Sequence, residues 1–271
     1  MVKFDGRKIR DKILAELKPK FVALDFRPVL AVVWIGDDLT SAKYIEQKQR
    51  AAEYLDIHFD IIKYDLNAKN SEIIEKIKEL NLNPEISGIL VQLPIPENLD
   101  RQRIIAAIVA EKDVDALRFC LDLACTFRPP VILGILRAIK DSGVNLEKSK
   151  VTVVGRGFLV GEPLIRILRS KVAELRVADD QTPFLLTLTV DADVIISATG
   201  QPNLIKLDMV KERAILIDAG VAELGGKLSG DIDPNSYQKS AFYTPVPGGI
   251  GPMTVVFLFE NLLAAVRQRE K

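Results

Sequence analysis

The first half of the chain carries side chains able to move protons and grip a flat polar ring. Ser41, Tyr44 and Lys48 are spaced three and four residues apart, which sets them on one face of a predicted helix over 40–55. An aromatic ring with an ammonium one turn away can hold a flat ligand and handle a proton, because a lysine amine sheds its charge readily when buried. The same spacing suits a solvated helix face, and Lys43, Glu46, Gln49 and Arg50 make this helix polar. Gln92 closes the apolar run that starts at Gly88 and precedes Leu93-Pro94-Ile95-Pro96; an amide there is either a site residue or a turn former. In Lys112-Asp113-Val114-Asp115 two acids lie on one side of a short extended segment. One carboxylate there can accept paired N–H bonds from a guanine-like ring, while on its own the pair reads as a solvated loop.

The second half offers a different chemistry. Residues 153–163 read VVGRGFLVGEP, so Gly155, Gly157 and Gly161 follow a predicted strand and open a predicted helix. Glycines in that context let backbone approach a pyrophosphate, and the helix start supplies N–H donors and a positive dipole end. Asp179 and Asp180 follow the next strand, where a carboxylate can hold a ribose 2′-hydroxyl, or where an acidic turn meets water. Arg156 pulls the other way, since a guanidinium pairs with phosphate. NAD and NADP therefore both stay open as cofactors. Thr199-Gly200-Gln201-Pro202 and Asp218-Ala219-Gly220-Val221 each end a strand, as the ligand crevice of an open α/β sheet requires.

Thr244 to Thr254 reads TPVPGGIGPMT, mixing three prolines with three glycines. Such a mixture specifies one backbone path rather than a flexible linker, either to hold a ligand or to cap the helix that Pro252 opens.

Positioning these residues takes an α/β chain with largely parallel strands. Strands are predicted over 29–35, 59–64, 88–92, 150–155, 174–178, 194–198 and 215–218. Helices are predicted over 7–17, 40–55, 71–80, 128–139, 159–168, 208–211 and 252–267. The 271 residues suit two domains. Thirty-seven basic residues balance 37 acidic ones, which argues against nucleic-acid or membrane partners. Apolar runs such as 29–35 are too short to span a bilayer, and the charged start shows no signal peptide, so a cytoplasmic protein is expected. Cys120 and Cys125 lack metal-site spacing and read as buried thiols, so no metal is expected. The single histidine, His58, precedes a strand and reads as structural.

Together these stretches resemble the bifunctional methylenetetrahydrofolate dehydrogenase/methenyltetrahydrofolate cyclohydrolase (FolD) family. The resemblance rests on YIEQKQRAAEYLDI (44–57), GILVQLPIP (88–96), KDVDA (112–116), VVGRGFLVGEP (153–163), ADVIISATGQP (192–202), ILIDAGV (215–221) and TPVPGGIGPMT (244–254). It implies an α/β folate-binding catalytic domain, 1–130 plus 251–271, and an inserted Rossmann-type dinucleotide-binding domain, 131–250, with the substrate cleft between them. It implies tetrahydrofolate derivatives as substrates in one-carbon metabolism and a homodimer. Lys48, Tyr44, Gln92 and Asp115 would be catalytic; Ser41, Asp113, Gly248 and Gly249 would support the folate. Gly155, Arg156, Gly157, Gly161, Asp179, Thr199, Gly220, Val221 and Thr254 would line the cofactor.

Departures from the family pattern fall in two places. Ala116-Leu117-Arg118 replaces a stretch that begins with glycine, and Pro129-Pro130-Val131-Ile132 replaces a Pro-Cys-Thr-Pro motif. Gly157 stands where many members have serine, and Ala178-Asp179-Asp180 stands at a Cys-His-Ser-like stretch, both of which remove contacts to a 2′-phosphate. Competing expectations are a member with one activity only, a two-domain dehydrogenase of shikimate or amino-acid type, and a non-catalytic folate- or nucleotide-binding protein. The conjunction of Lys48 with Tyr44, Gln92 and Asp115 argues against the last, because binding alone has no need of the amine.

Overall fold

The computed structural model describes residues 1–269. The elements run β1 (Val2–Lys3), α1 (Gly6–Val22), β2 (Val29–Ile35), α2 (Leu39–Tyr54), β3 (His58–Tyr64), α3 (Asn70–Leu82), β4 (Ile86–Val91), α4 (Arg101–Ala106), α5 (Leu117–Cys120) and α6 (Pro130–Ser142). They continue with β5 (Lys150–Val154), α7 (Gly161–Leu168), β6 (Glu174–Ala178), α8 (Leu185–Thr189), β7 (Val194–Ser197), β8 (Ala214–Asp218), β9 (Ala222–Leu224), β10 (Lys227–Ser229), β11 (Ser240–Tyr243) and α9 (Ile250–Arg269). The chain divides into two compact lobes, one made of 10–130 and the chain from Val255 onward, the other of 1–9 and 131–254.

In the first lobe β3, β2 and β4 form a parallel sheet in that order. Every residue of β4 is buried although it is an edge strand of this sheet, as its largely apolar sequence ISGILV requires. α9 packs on this strand. A side chain at Gly88 would meet Leu262 and Val114 at 2.8 Å, and the Asn261 amide donates to the carbonyls of Val114 (2.8 Å) and Arg128 (3.0 Å). These contacts place the final helix, from Val255 onward, in the first lobe.

α9 also corrects the expectation that no apolar stretch is long enough to cross a membrane. By length and composition it is, with a mean hydropathy of 1.4 over its most apolar window. Two-thirds of that window is buried in the protein, and Val256, Leu258, Phe259 and Leu262 are fully enclosed. A helix apolar on all sides is here a core helix.

The second lobe holds a six-stranded sheet, β1-β11-β8-β7-β5-β6, with parallel pairs throughout. From β5 the chain goes first to one neighbour, β6, and then to the other, β7. The carboxyl end of β5 is thus the switch point, where an open α/β sheet leaves a crevice. The N-terminal residues, expected with the first half, belong to this lobe. Val2 and Lys3 pair with Phe242 and Tyr243, and the Phe4 N–H donates to the Tyr243 carbonyl at 2.9 Å. The helix predicted over 208–211 is a single 3-10 turn, Leu207–Met209. β11, the β9–β10 hairpin and the short helices α4, α5 and α8 had no counterpart in the periodicity.

Candidate active site

α2 starts where Asp38 accepts a hydrogen bond from the Ser41 N–H at 2.7 Å, capping the helix and fixing the phase of its first turns. That phase turns Ser41 and Lys48 inward: both are buried, and Tyr44 between them is half-buried. Gln92 follows β4 directly, held in line by its N–H to the Val33 carbonyl at 2.9 Å. Lys48 Nζ donates to Gln92 Oε1 at 3.0 Å. The other end of the amide, Nε2, donates to the Leu93 carbonyl at 2.7 Å, which also accepts from Ser41 Oγ at 3.2 Å. Burial lowers the Lys48 pKa from its usual 10.5, and the nearby Asp115 carboxylate pulls it part of the way back. Burial likewise raises Asp115, against the pull of Lys48. The result is an amine with one fixed acceptor and a reduced hold on its proton.

The segment carrying Asp113 and Asp115 is not extended, as expected, but a turn around one bridge between Ile89 and Asp113. Two anchors bend it. Lys112 Nζ donates to the carbonyls of Leu80, Asn81 and Asn83 at 2.7–2.9 Å, closing the end of α3, with its pKa lowered by burial to about 8. Asp113 accepts the N–H groups of Leu117 (3.2 Å) and Arg118 (2.8 Å), so its carboxylate starts α5, and burial pushes it up to about 7. Asp115, half-buried, is the acid of the two that interacts with Lys48. Ala116, where the family has glycine, takes a left-handed conformation with φ 54°. His58 sits exposed at the start of β3 and takes no part in this cluster. Cys120 is buried, as expected, but Cys125 is half-buried.

In the second lobe, Gly155 ends β5 with φ +99°, and a Cβ there would lie 2.5 Å from the Ala198 carbonyl. A Cβ at Gly161 would overlap the Gly155 carbonyl. These two glycines bring the turn against the start of α7, the cradle a pyrophosphate needs. Gly157 faces open space. Arg156 is exposed and paired with Glu162 at 2.8 Å. Asp179, at the end of the neighbouring strand, accepts the Gln181 N–H (3.1 Å) and the Thr182 hydroxyl (2.9 Å), both on Oδ1.

The Thr199 and Gly220 turns are joined beneath the sheet edge by a pair of buried acids. Asp231 Oδ2 accepts the Thr199 N–H (2.6 Å) and Ser197 Oγ (2.8 Å); Asp218 accepts the N–H groups of Gly220, Asp231 and Ile232 at 2.9–3.2 Å. Asp231 was missed in the sequence. Its signal was an acid between Gly230 and Ile232, inside a stretch otherwise ending a hairpin. Gly220 has to be glycine because a side chain would strike the Asp231 carboxylate. Burial first, then the Asp231 charge, push Asp218 up to about 7. Val221 is exposed beside this turn.

The loop at 244–254 is built onto the N-terminus. Gly6 donates to the Gly248 carbonyl at 3.0 Å, and a side chain at Gly6 would overlap the Gly249 carbonyl. Gly248 has φ +109°, the Val246–Pro247 bond is cis, and the Gly249 N–H donates to Pro245 at 2.8 Å. Thr254 spends its hydroxyl on the Gly251 carbonyl at 2.8 Å inside α9. Among the described residues no group of three or more His, Cys, Asp or Glu side chains could hold a metal ion.

A parallel sheet with a glycine-lined turn at its switch point defines the second lobe as a dinucleotide-binding domain of the dehydrogenase class. Comparison with known proteins narrows this. Residues 4–115 match the catalytic domain of tetrahydrofolate dehydrogenase/cyclohydrolase, and residues 129–270 match its NAD(P)-binding domain. The chain belongs to the tetrahydrofolate dehydrogenase/cyclohydrolase family. It is 38% identical to the bifunctional protein FolD of Aquifex aeolicus, over 98% of this chain and 95% of that one. The crystal structure of the bifunctional FolD enzyme of Campylobacter jejuni superposes with a TM-score of 0.93 at 35% identity, covering 99% of both chains. The FolD of Trypanosoma brucei, solved with NADP and an inhibitor, gives 0.92 at 27% identity over 100% of this chain and 98% of that one.

Proposed function

We propose that this chain oxidises 5,10-methylenetetrahydrofolate to the 5,10-methenyl form and hydrolyses that product to 10-formyltetrahydrofolate. The reading is carried by the buried Lys48 amine, fixed on Gln92 and flanked by Asp115. NAD or NADP, when bound, supplies the hydride acceptor for the oxidation; Gly155 and Gly161 provide the backbone approach its pyrophosphate needs.

In the hydrolysis, water adds to the cationic methenyl carbon while Lys48, in its neutral form, takes one of the water protons. The tetrahedral adduct then breaks its bond to the departing ring nitrogen. Lys48 returns a proton to that nitrogen, the adduct hydroxyl loses its own, and the net product is one released proton. Tyr44 offers its ring to the folate, and Asp115 accepts hydrogen bonds from the pterin amine and ring N–H. Gln92 is a positioning residue: it holds the amine and acts through it. Ser41 and Asp113 support these groups through the Leu93 carbonyl and the start of α5.

For the cofactor we propose a preference turned from NADP toward NAD. Asp179 suits a ribose 2′-hydroxyl, Gly157 offers no hydroxyl, and Arg156 is already paired. A cytoplasmic homodimer acting in one-carbon metabolism completes the proposal, with no metal, membrane or nucleic-acid partner.

The test follows methylenetetrahydrofolate oxidation with NAD and with NADP, then decay of the methenyl chromophore. Lys48→Met should lower cyclohydrolase turnover by roughly 10²- to 10⁴-fold with folate binding held within a few-fold. Full cyclohydrolase activity in that variant would overturn the mechanism.

A further inference from the structure

Arg156 is the only cation of the glycine turn, and its guanidinium is the group a 2′-phosphate would seek. Its Nε donates to Glu162 Oε2 at 2.8 Å, and the Asp179 carboxylate lies near enough to reinforce its charge. Glu162 belongs to the first turn of α7, where the helix dipole favours a carboxylate. Two carboxylates, Glu162 and Asp179, therefore act on one guanidinium at the adjoining ends of β5 and β6.

We infer that Glu162 is a specificity-determining residue: by holding Arg156 it disfavours a cofactor phosphorylated at the adenosine 2′-hydroxyl. Glu162 occupies the Nε donor, so a 2′-phosphate would have to bind the remaining guanidinium N–H groups beside that carboxylate or displace it. A 2′-hydroxyl meets no such competition and finds Asp179 as its acceptor. The ion pair is half exposed and adds little to folding, so its consequence lies in what Arg156 is prevented from binding. The inference deepens the proposed NAD preference and rests on it.

Calorimetric titration of the full chain with adenosine 2′,5′-bisphosphate and with 5′-AMP separates the two claims without any turnover. In the wild type the bisphosphate should bind no better than 5′-AMP; markedly tighter bisphosphate binding would overturn the NAD preference itself. Glu162→Gln should tighten the bisphosphate by roughly three- to tenfold and leave 5′-AMP within about twofold. An unchanged ratio would overturn the role of Glu162 while leaving the NAD preference standing. Adding Arg156→Gln to Glu162→Gln should erase the gain; a gain that persists would show that Glu162 does not act through Arg156.

Discussion

Lys48 and Arg156 are both cations at the heart of a candidate site, and the protein treats them in opposite ways. Lys48 is buried, bonded to one neutral amide, and holds its proton less tightly. Arg156 is exposed, paired with a carboxylate, and keeps its charge. Water decides the difference. Withdrawn from it, an amine becomes a group that can change charge during a reaction. Left in it, a guanidinium keeps its charge and selects partners by competition. Chemistry is placed where solvent is excluded, and selectivity where solvent still reaches.

The strongest way to break the comparison is to remove the platform under Arg156. Gly161→Ala puts a Cβ into the Gly155 carbonyl and within 2.8 Å of the Arg156 Cα. The expected cost is about 2–3 kcal/mol, lowering Tm by roughly 5–10 °C and abolishing dinucleotide binding. Thermal melting with and without cofactor measures it, and an unperturbed variant would mean that the turn is not rigid.

A smaller change sharpens the Lys48 side. Gln92→Leu leaves the buried amine without its acceptor and should lower cyclohydrolase turnover roughly tenfold. Its distinguishing mark is the pH–rate profile, whose limb for Lys48 should move further toward acid, because the charged amine loses its partner. A variant slowed at constant profile would reduce Gln92 to packing.

The most gradual effect, spread over several pH units, compares the lobes through one buried acid in each. Asp113 and Asp218 are both raised by burial from 3.8 to about 7. Between those values the folded protein holds protons that the unfolded chain has released, so the contribution to stability is full below the lower value and is lost as pH rises through the upper one. Urea titrations across that window should show stability declining as pH rises, by at most about 4 kcal/mol per acid. Asp113→Asn and Asp218→Asn should each flatten part of it, and a parallel decline in both variants would contradict the assignment.

Much of this arrangement was legible in the residues. Spacing placed Ser41, Tyr44 and Lys48 on one helix face, and the glycine triplet after a strand marked the cofactor turn. What spacing could not decide was which way the α2 face pointed; that depended on the Asp38 cap and on Gln92 arriving from β4, 44 residues away. The turn at 112–116 read as extended because its bend comes from remote partners, the α3 carbonyls and the α5 N–H groups. Asp231 stayed hidden for the same reason, since its meaning lies in the Ser197 and Thr199 donors brought to it by the sheet. β1 is too short to show a period and is defined only by its pairing with β11.

The central claim is that burial beside Gln92 and Asp115 gives Lys48 an amine able to lose its proton in the working protein. The direct measurement is an NMR titration of the ¹⁵N-labelled Lys48 amine in the full chain, assigned by its absence in Lys48→Met. A midpoint clearly below 10.5, falling further in Asp115→Asn, is the predicted result. A midpoint at or above 10.5, unmoved by Asp115→Asn, would contradict it.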